Sequence, residues 1–247
     1  MRKVAIVAAL EREVSGLVRS WSRVDRDYQG RRFVFFERDE MVLVCGGIGT
    51  EAARRAAEAV IALYSPALLQ SVGFAGALDA SLRVGDVFAP GIVVDARDGS
   101  RIEVERGDEK TTLVTFMAVA GIDQKANLAQ AYGAQAVDME AAAVATAARA
   151  HGIRFAATKV ISDEVSFEMP QMDRFIDAKG QFRTAGFALF AAFRPWLWSR
   201  VARLASNSRK AAKALGSELE HFRDERSQAL PPAKAVAASG LSGRGRE

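Results

Sequence analysis

Two acids in the stretch AVDMEAAAVATAARAHGIRFAATKVISDEVS, Ala136 to Ser166, are placed where chemistry is done. The alanine- and valine-rich run from about Met139 to about His151 predicts a helix, with Gly152 just past its end. Glu140 then falls in the first turn. Phe155 to Ile161 predicts a buried strand that empties into Ser162–Asp163–Glu164. Asp163 is therefore expected just past the C-terminal end of that strand, where open α/β sheets bind ligands. Each acid also has a plain structural explanation. Glu140 could complement the helix dipole, and Asp163 could cap a turn or a following helix. The pair points further. An alanine-lined helix packs close to a sheet and leaves Glu140 little solvated room.

The elements that must position these acids alternate along the chain. Val4 to Ala9 predicts a first buried strand, and a helix carrying Leu17, Val18 and Trp21 follows. Arg32–Glu37 and Met41–Cys45 predict a hairpin. The loop Gly46–Gly47–Ile48–Gly49–Thr50 opens a helix over Glu51–Leu63, and such a loop lets backbone approach an anion or a hydroxyl. Gly47, Gly49 and Ala52 also fit a G-x-G-x-x-A dinucleotide pattern, but the acid that should follow is missing from Pro66 to Val72. Further strands are expected at Leu68–Val72, Val87–Val94 and Leu113–Val119, with an exposed hairpin or loop over Asp95–Lys110 and a short helix over Gly121–Ala131. After Ser166 an irregular segment containing Met169–Pro170 is expected to lie over the site as a flap.

The fold class expected is a three-layer α/β/α arrangement with a mixed, largely parallel central sheet. One domain over residues 1–226 and a disordered tail over 227–247 account for the 247 residues. From about Thr184 the chain reads as helical with a break at Pro195, and Leu189, Phe193, Trp196 and Leu197 form an apolar face. A helix docked on the sheet is one reading of that face. A peripheral membrane contact is the other, because aromatic residues stand beside Arg194, Arg200 and Arg203.

Composition excludes several functions. The single cysteine, Cys45, forbids an intramolecular disulfide, fits a reducing cytoplasmic setting and reads as a buried inert thiol. Two histidines, His151 and His221, stand apart from any Cys/His cluster, so no zinc site is expected. The net charge is +4, and from Arg200 onward ten basic residues face five acidic ones. The basicity thus belongs to the C-terminal region and not to the body, which argues against a nucleic-acid footprint. The first apolar run is cut short by Glu11, Arg12 and Glu13, so it reads as a strand and not as a signal peptide.

The stretches AIVAALEREV, GGIGTEAA, GFAGALDASLRVGDV, AVDMEAAAVA and KVISDE occur in the order found in the nucleoside phosphorylase superfamily, and the chain most resembles its 5′-methylthioadenosine/S-adenosylhomocysteine nucleosidase branch. The resemblance implies roles. Glu13 matches the glutamate that activates the attacking water. Met139 and Glu140 match the pair at the ribose, with Glu140 accepting from its hydroxyls. Asp163, preceded by Ser162, matches the acid at purine N7. Phe74, Ala75 and Gly76 match the loop lining the nucleoside pocket. Asp163 must then be protonated or share a proton, and Glu13 must act as a base.

The resemblance implies no metal or organic cofactor, a small-molecule nucleoside substrate and a homodimer. The interval from Asp86 to Met139 is shorter than in the nucleosidases, and the aromatic expected over the purine has only Met117 near its position. The expected reaction is hydrolysis of a purine N-glycosidic bond. The alternatives are phosphorolysis, with Gly47, Gly49 and Thr50 holding phosphate or water and a lipid-linked adenosine as one form of substrate, and a nucleoside-binding protein without catalysis.

Overall fold

The computed structural model describes residues 3–170, 172–177 and 180–229. The chain begins β1 (Val4–Ala8), α1 (Glu11–Val18), β2 (Ser22–Tyr28), β3 (Arg31–Arg38), β4 (Met41–Cys45), α2 (Thr50–Tyr64) and β5 (Leu68–Ala77). It continues β6 (Val87–Phe88), β7 (Pro90–Asp95), β8 (Arg101–Glu103), β9 (Asp108–Thr115), α3 (Ile122–Tyr132), β10 (Ala136–Asp138), α4 (Ala141–Ala150) and β11 (Arg154–Asp163), and closes with α5 (Thr184–Ala192) and α6 (Trp198–Ala229).

The strands form one mixed sheet in the order β2-β3-β4-β1-β5-β10-β9-β7-β8, with β11 paired to β5 and β6. Its centre is parallel: β4, β1, β5 and β11 run the same way. Both faces of β1 are covered, which is why VAIVA is apolar throughout. Ala5 and Val7 face α2 and α4, while Val4, Ile6 and Ala8 face α1 and α6. Ala52, Ala53, Ala56 and Ala57 of α2 and nearly every alanine of α4 are buried, so both helices pack with their backbones close to the sheet. This is the α/β/α architecture the sequence predicts.

β5 positions the site. Its first half pairs with β1 and β11, and its end pairs antiparallel with β10 through Gly76 and Ala77. The ends of β1, β5, β10 and β11 therefore converge. A register shift between Ile161 and Asp163 lets β11 turn its last two side chains into that convergence.

Several boundaries differ from the sequence reading. β5 continues to Ala77 instead of stopping at Val72, because its small residues still pair with β10 and β11. The expected strand 87–94 breaks into β6 and β7, which pair with different partners. β9 stops at Thr115, leaving 116–121 as loop. β2 was not foreseen, since its pattern is polar and exposed and it is held only by pairing with β3. The apolar face expected to dock on the sheet does not do so. Leu197 is buried, but Leu189, Phe193 and Trp196 are exposed, and it is Ala211, Leu215 and Leu219 of α6 that pack on the sheet beside α1. α6 runs to Ala229, past the expected domain end, and the rest of the expected tail lies outside the described residues.

Candidate active site

A pocket opens at the converging strand ends. Glu13, Phe74, Ala75, Gly76, Met139, Glu140, Ser162 and Asp163 all line it. Eight residues named from the sequence thus come together from four separate stretches. Of the glycine loop, it is Ile48 that lines the cavity, while Gly47, Gly49 and Thr50 stand behind it. Met117 is exposed and lies outside the lining, where the neighbouring Ala118, Val119 and Ala120 contribute instead. Met169, Met172 and Ile176 complete the wall, so the segment after Ser166 does lie over the site. It is tied to the glycine loop, with Ile48 N–H donating to Gly180 O at 2.7 Å.

Glu13 sits in the first turn of α1, where Val14, Leu17 and Val18 are buried with it. Its Oε2 is buried with no hydrogen-bond partner among the described residues. Burial and the nearby Glu140 push this carboxyl up to about 8, against the pull of Lys159 and Arg12. Gly73 lies beside it with φ +143°, and a Cβ there would stand 2.9 Å from Glu13 Oε2.

Glu140 is not in the first turn of α4 but one residue before it, at the N-cap position, and its side chain does not cap the helix. That task falls to Asp138, whose Oδ2 accepts from Ala141 N–H at 2.8 Å, and to Thr115, whose Oγ1 accepts from Ala142 N–H at 2.9 Å. Thr115 in turn donates to Asp138 Oδ1 at 2.6 Å. Because another acid serves the helix end, Glu140 is free to reach across to the glycine loop, where it accepts from Gly49 N–H at 2.7 Å. Burial and Asp138 push Glu140 up to about 7, while Lys159 and the Gly49 amide hold it down.

Two buried lysines complete the site, and neither was singled out from the sequence. Lys159, in β11, pairs with Asp138 Oδ2 at 2.8 Å and donates to Ser71 Oγ at 3.1 Å. Burial pulls its ammonium down, but Asp138, Glu140 and Glu13 together outweigh that and raise it. Lys125, from α3, pairs with Asp163 Oδ2 and donates to Glu164 O at 2.8 Å. Ser162 Oγ donates to Asp163 Oδ1 at 2.7 Å. Asp163 is thus bonded at both oxygens, inside the last position of β11 and not beyond it. A Cβ on Gly76 would stand 2.9 Å from Asp163 Oδ2 and 3.3 Å from Lys125 Cε, which explains the glycine there. The lysines were missed because lysine is ordinarily a surface residue. The one available signal was that Lys159 interrupts an apolar strand.

Four acidic side chains, Glu13, Asp138, Glu140 and Asp163, and the buried Lys125 line one pocket of an α/β enzyme, with Lys159 paired to Asp138. The family model described as "Phosphorylase superfamily" matches residues 3–110 and 109–193, and the chain belongs to that superfamily. No curated protein sequence matches the chain. Among solved structures, apo 5′-methylthioadenosine nucleosidase of Arabidopsis thaliana superposes with a TM-score of 0.70 at 18% identity, covering 91% of this chain and 96% of that one. Futalosine hydrolase of Helicobacter pylori gives 0.63 at 18%, over 89% and 98%. The 5′-methylthioadenosine/S-adenosylhomocysteine nucleosidase of Colwellia psychrerythraea 34H, in complex with adenine, gives 0.58 at 24%, over 66% and 83%. These likenesses establish the shared fold.

Proposed function

We propose that this pocket hydrolyses the N-glycosidic bond of a purine nucleoside of the methylthioadenosine or S-adenosylhomocysteine kind. The observation that carries the reading is the meeting of Glu13, Glu140 and Asp163 in one pocket, each in a different electrostatic setting. The ionised form of Glu13, a minority at neutral pH because the carboxyl is pushed up to about 8, takes the proton of the attacking water as the water oxygen bonds to C1′, at the buried Oε2 that has no partner among the described residues. Glu140, fixed by Gly49 N–H, accepts from ribose hydroxyls beside Met139. As the bond from C1′ to the base breaks, a proton moves from the Lys125 ammonium group through the Asp163 carboxylate to the purine, leaving Lys125 as the neutral amine. The pairing of Lys125 with Asp163 supports this reading. Phe74, Ala75 and Gly76 line the pocket on the base side, and the similarity to an adenine complex supports a purine there.

Water is favoured over phosphate by the glycine loop itself. Gly47 N–H donates to Ala9 O at 2.9 Å, Ile48 N–H to Gly180 O at 2.7 Å and Gly49 N–H to Glu140 Oε1 at 2.7 Å. Three amides that could have held an anion are already committed, and one of them to a carboxylate. A lipid-linked nucleoside is the second reading, favoured by the exposed aromatic residues that follow the segment over the pocket. The lone cysteine supports a cytoplasmic setting, and a homodimer is the assembly the family resemblance supports.

The test is base release from a panel of purine nucleosides, methylthioadenosine first, with and without phosphate. Release in phosphate-free buffer is expected. Strict phosphate dependence would turn the reading to phosphorolysis. Binding without turnover by a folded sample would leave a nucleoside-binding protein.

A further inference from the structure

Residues 180–210 carry a surface that the catalytic reading does not use. Phe193 is 75% exposed, Trp196 68%, Leu189 62% and Trp198 57%. Leu189 and Phe193 are four residues apart at the end of α5, and Trp196 follows in the separate 3-10 turn Pro195–Leu197. Four large apolar side chains so close together are more than isolated exposed residues. The inner side of the same element is well anchored. Phe187 is buried, and Phe175 packs on Phe187 and Phe190 with ring centroids 5.4 and 5.3 Å away. Arg194 lies over the Phe190 ring, 3.9 Å from its centroid, and donates to Phe190 O. Trp198 Nε1 donates to Ala191 O at 3.0 Å. The exposed rings are thus presented by a built element.

Charge decides what covers them. From Gly180 to Lys210 the chain has six basic residues, Arg183, Arg194, Arg200, Arg203, Arg209 and Lys210, and no acidic residue. Arg200 is paired with Glu168 at 2.6 Å, while Arg183, Arg203 and Arg209 stand exposed. A two-fold contact between copies of this face would set arginines against arginines. An anionic bilayer meets both requirements, taking aromatic rings at its interface and basic side chains among its headgroups. No described helix is long and apolar enough to cross a membrane, so the contact lies on the surface.

We propose that α5, the turn at Pro195–Leu197 and the start of α6 dock this protein on an anionic lipid surface. The face is joined to the pocket through the segment over it, since Ile176, next to Phe175, lines the cavity. The segment that walls the pocket therefore packs on the inner side of the docking element. The inference does not depend on the catalytic reading.

Co-sedimentation of the full chain with vesicles tests it. Phosphatidylglycerol–phosphatidylcholine vesicles should bring the protein down at low salt, and pure phosphatidylcholine vesicles should not. Phe193→Glu/Trp196→Glu and, separately, Arg183→Glu/Arg203→Glu should each weaken partitioning by about tenfold or more. Both variants should keep the wild-type circular dichroism melt, which separates lost binding from lost fold even if no nucleoside is cleaved. Absence of sedimentation with anionic vesicles overturns the proposal, as does equal binding by wild type and variants. If light scattering shows Phe193→Glu/Trp196→Glu splitting a dimer while vesicles are ignored, the face is a self-interface and the proposal is also overturned.

Discussion

Lys125 and Asp163 form a buried ion pair at the end where the base is read to leave. Each is almost wholly removed from water, so each charge depends on the other. Lys125→Met strands the Asp163 carboxylate and is expected to cost about 3–5 kcal/mol of stability. The double variant Lys125→Met/Asp163→Asn removes both charges and should recover most of that loss. Its turnover should not recover if the pair supplies the proton to the base, as in the proposed reaction. Urea unfolding and kcat measured on the same samples separate the two effects. A double variant that regains turnover would show the pair to be structural only. The sequence pointed to Asp163 through its motif, but Lys125 lies 38 positions away in a helix to which no role was given. Only the packing of α3 against β10 brings it in.

At the scale of elements, the strands were largely legible and their exact ends were not. The β-branched runs of β1, β4 and β11 announce themselves because both faces are buried. β5 was cut short at Gly73 because glycine reads as a stop. In the fold that glycine continues the strand, and it is glycine because Glu13 occupies the space where a side chain would be. Gly73→Ala brings a Cβ to 2.9 Å from Glu13 Oε2 and strains a backbone held at φ +143°. Turnover should fall by about tenfold or more through displacement of Glu13. Substrate affinity should change less, since Glu140 is held by a separate loop. A steady-state comparison of kcat and KM checks this, and an unchanged kcat would mean that Glu13 is not the base. Helix α4 carries a similar lesson. Its alanines announced a closely packed helix, but which acid caps it was settled only by the position of Thr115 beside Asp138.

The whole molecule pays for its acid cluster in a way that depends on pH. The Glu13 carboxyl, ordinarily near 4.5, is pushed up to about 8 in the folded protein. Between those values the folded chain holds a proton that the unfolded chain releases. Stability from this group is therefore fully present below about 4.5 and is lost as pH rises through about 8. Glu13→Gln keeps the shape and removes the titration. The variant should melt near the wild type at pH 5 and higher than the wild type at pH 9, by about 5 °C or more. A difference that is the same at both pH values would show that Glu13 does not carry the raised value.

By itself the sequence determined the layered α/β fold, the family and the three acids, because burial patterns and ordered motifs are local properties of the chain. Tertiary structure decided their chemical states. In the proposed reaction a carboxylate serves as base, ribose acceptor or proton carrier according to which cation, amide or apolar wall stands beside it, and those neighbours come from distant segments. Lys159 across from Asp138, Lys125 across from Asp163 and Gly49 across from Glu140 are neighbours only once the sheet has closed. The same holds for the aromatic residues after Thr184. Their apolar and basic character was written in the sequence, but whether they turn inward to the sheet or outward to solvent depended on α6 taking the place on the sheet that they were expected to fill.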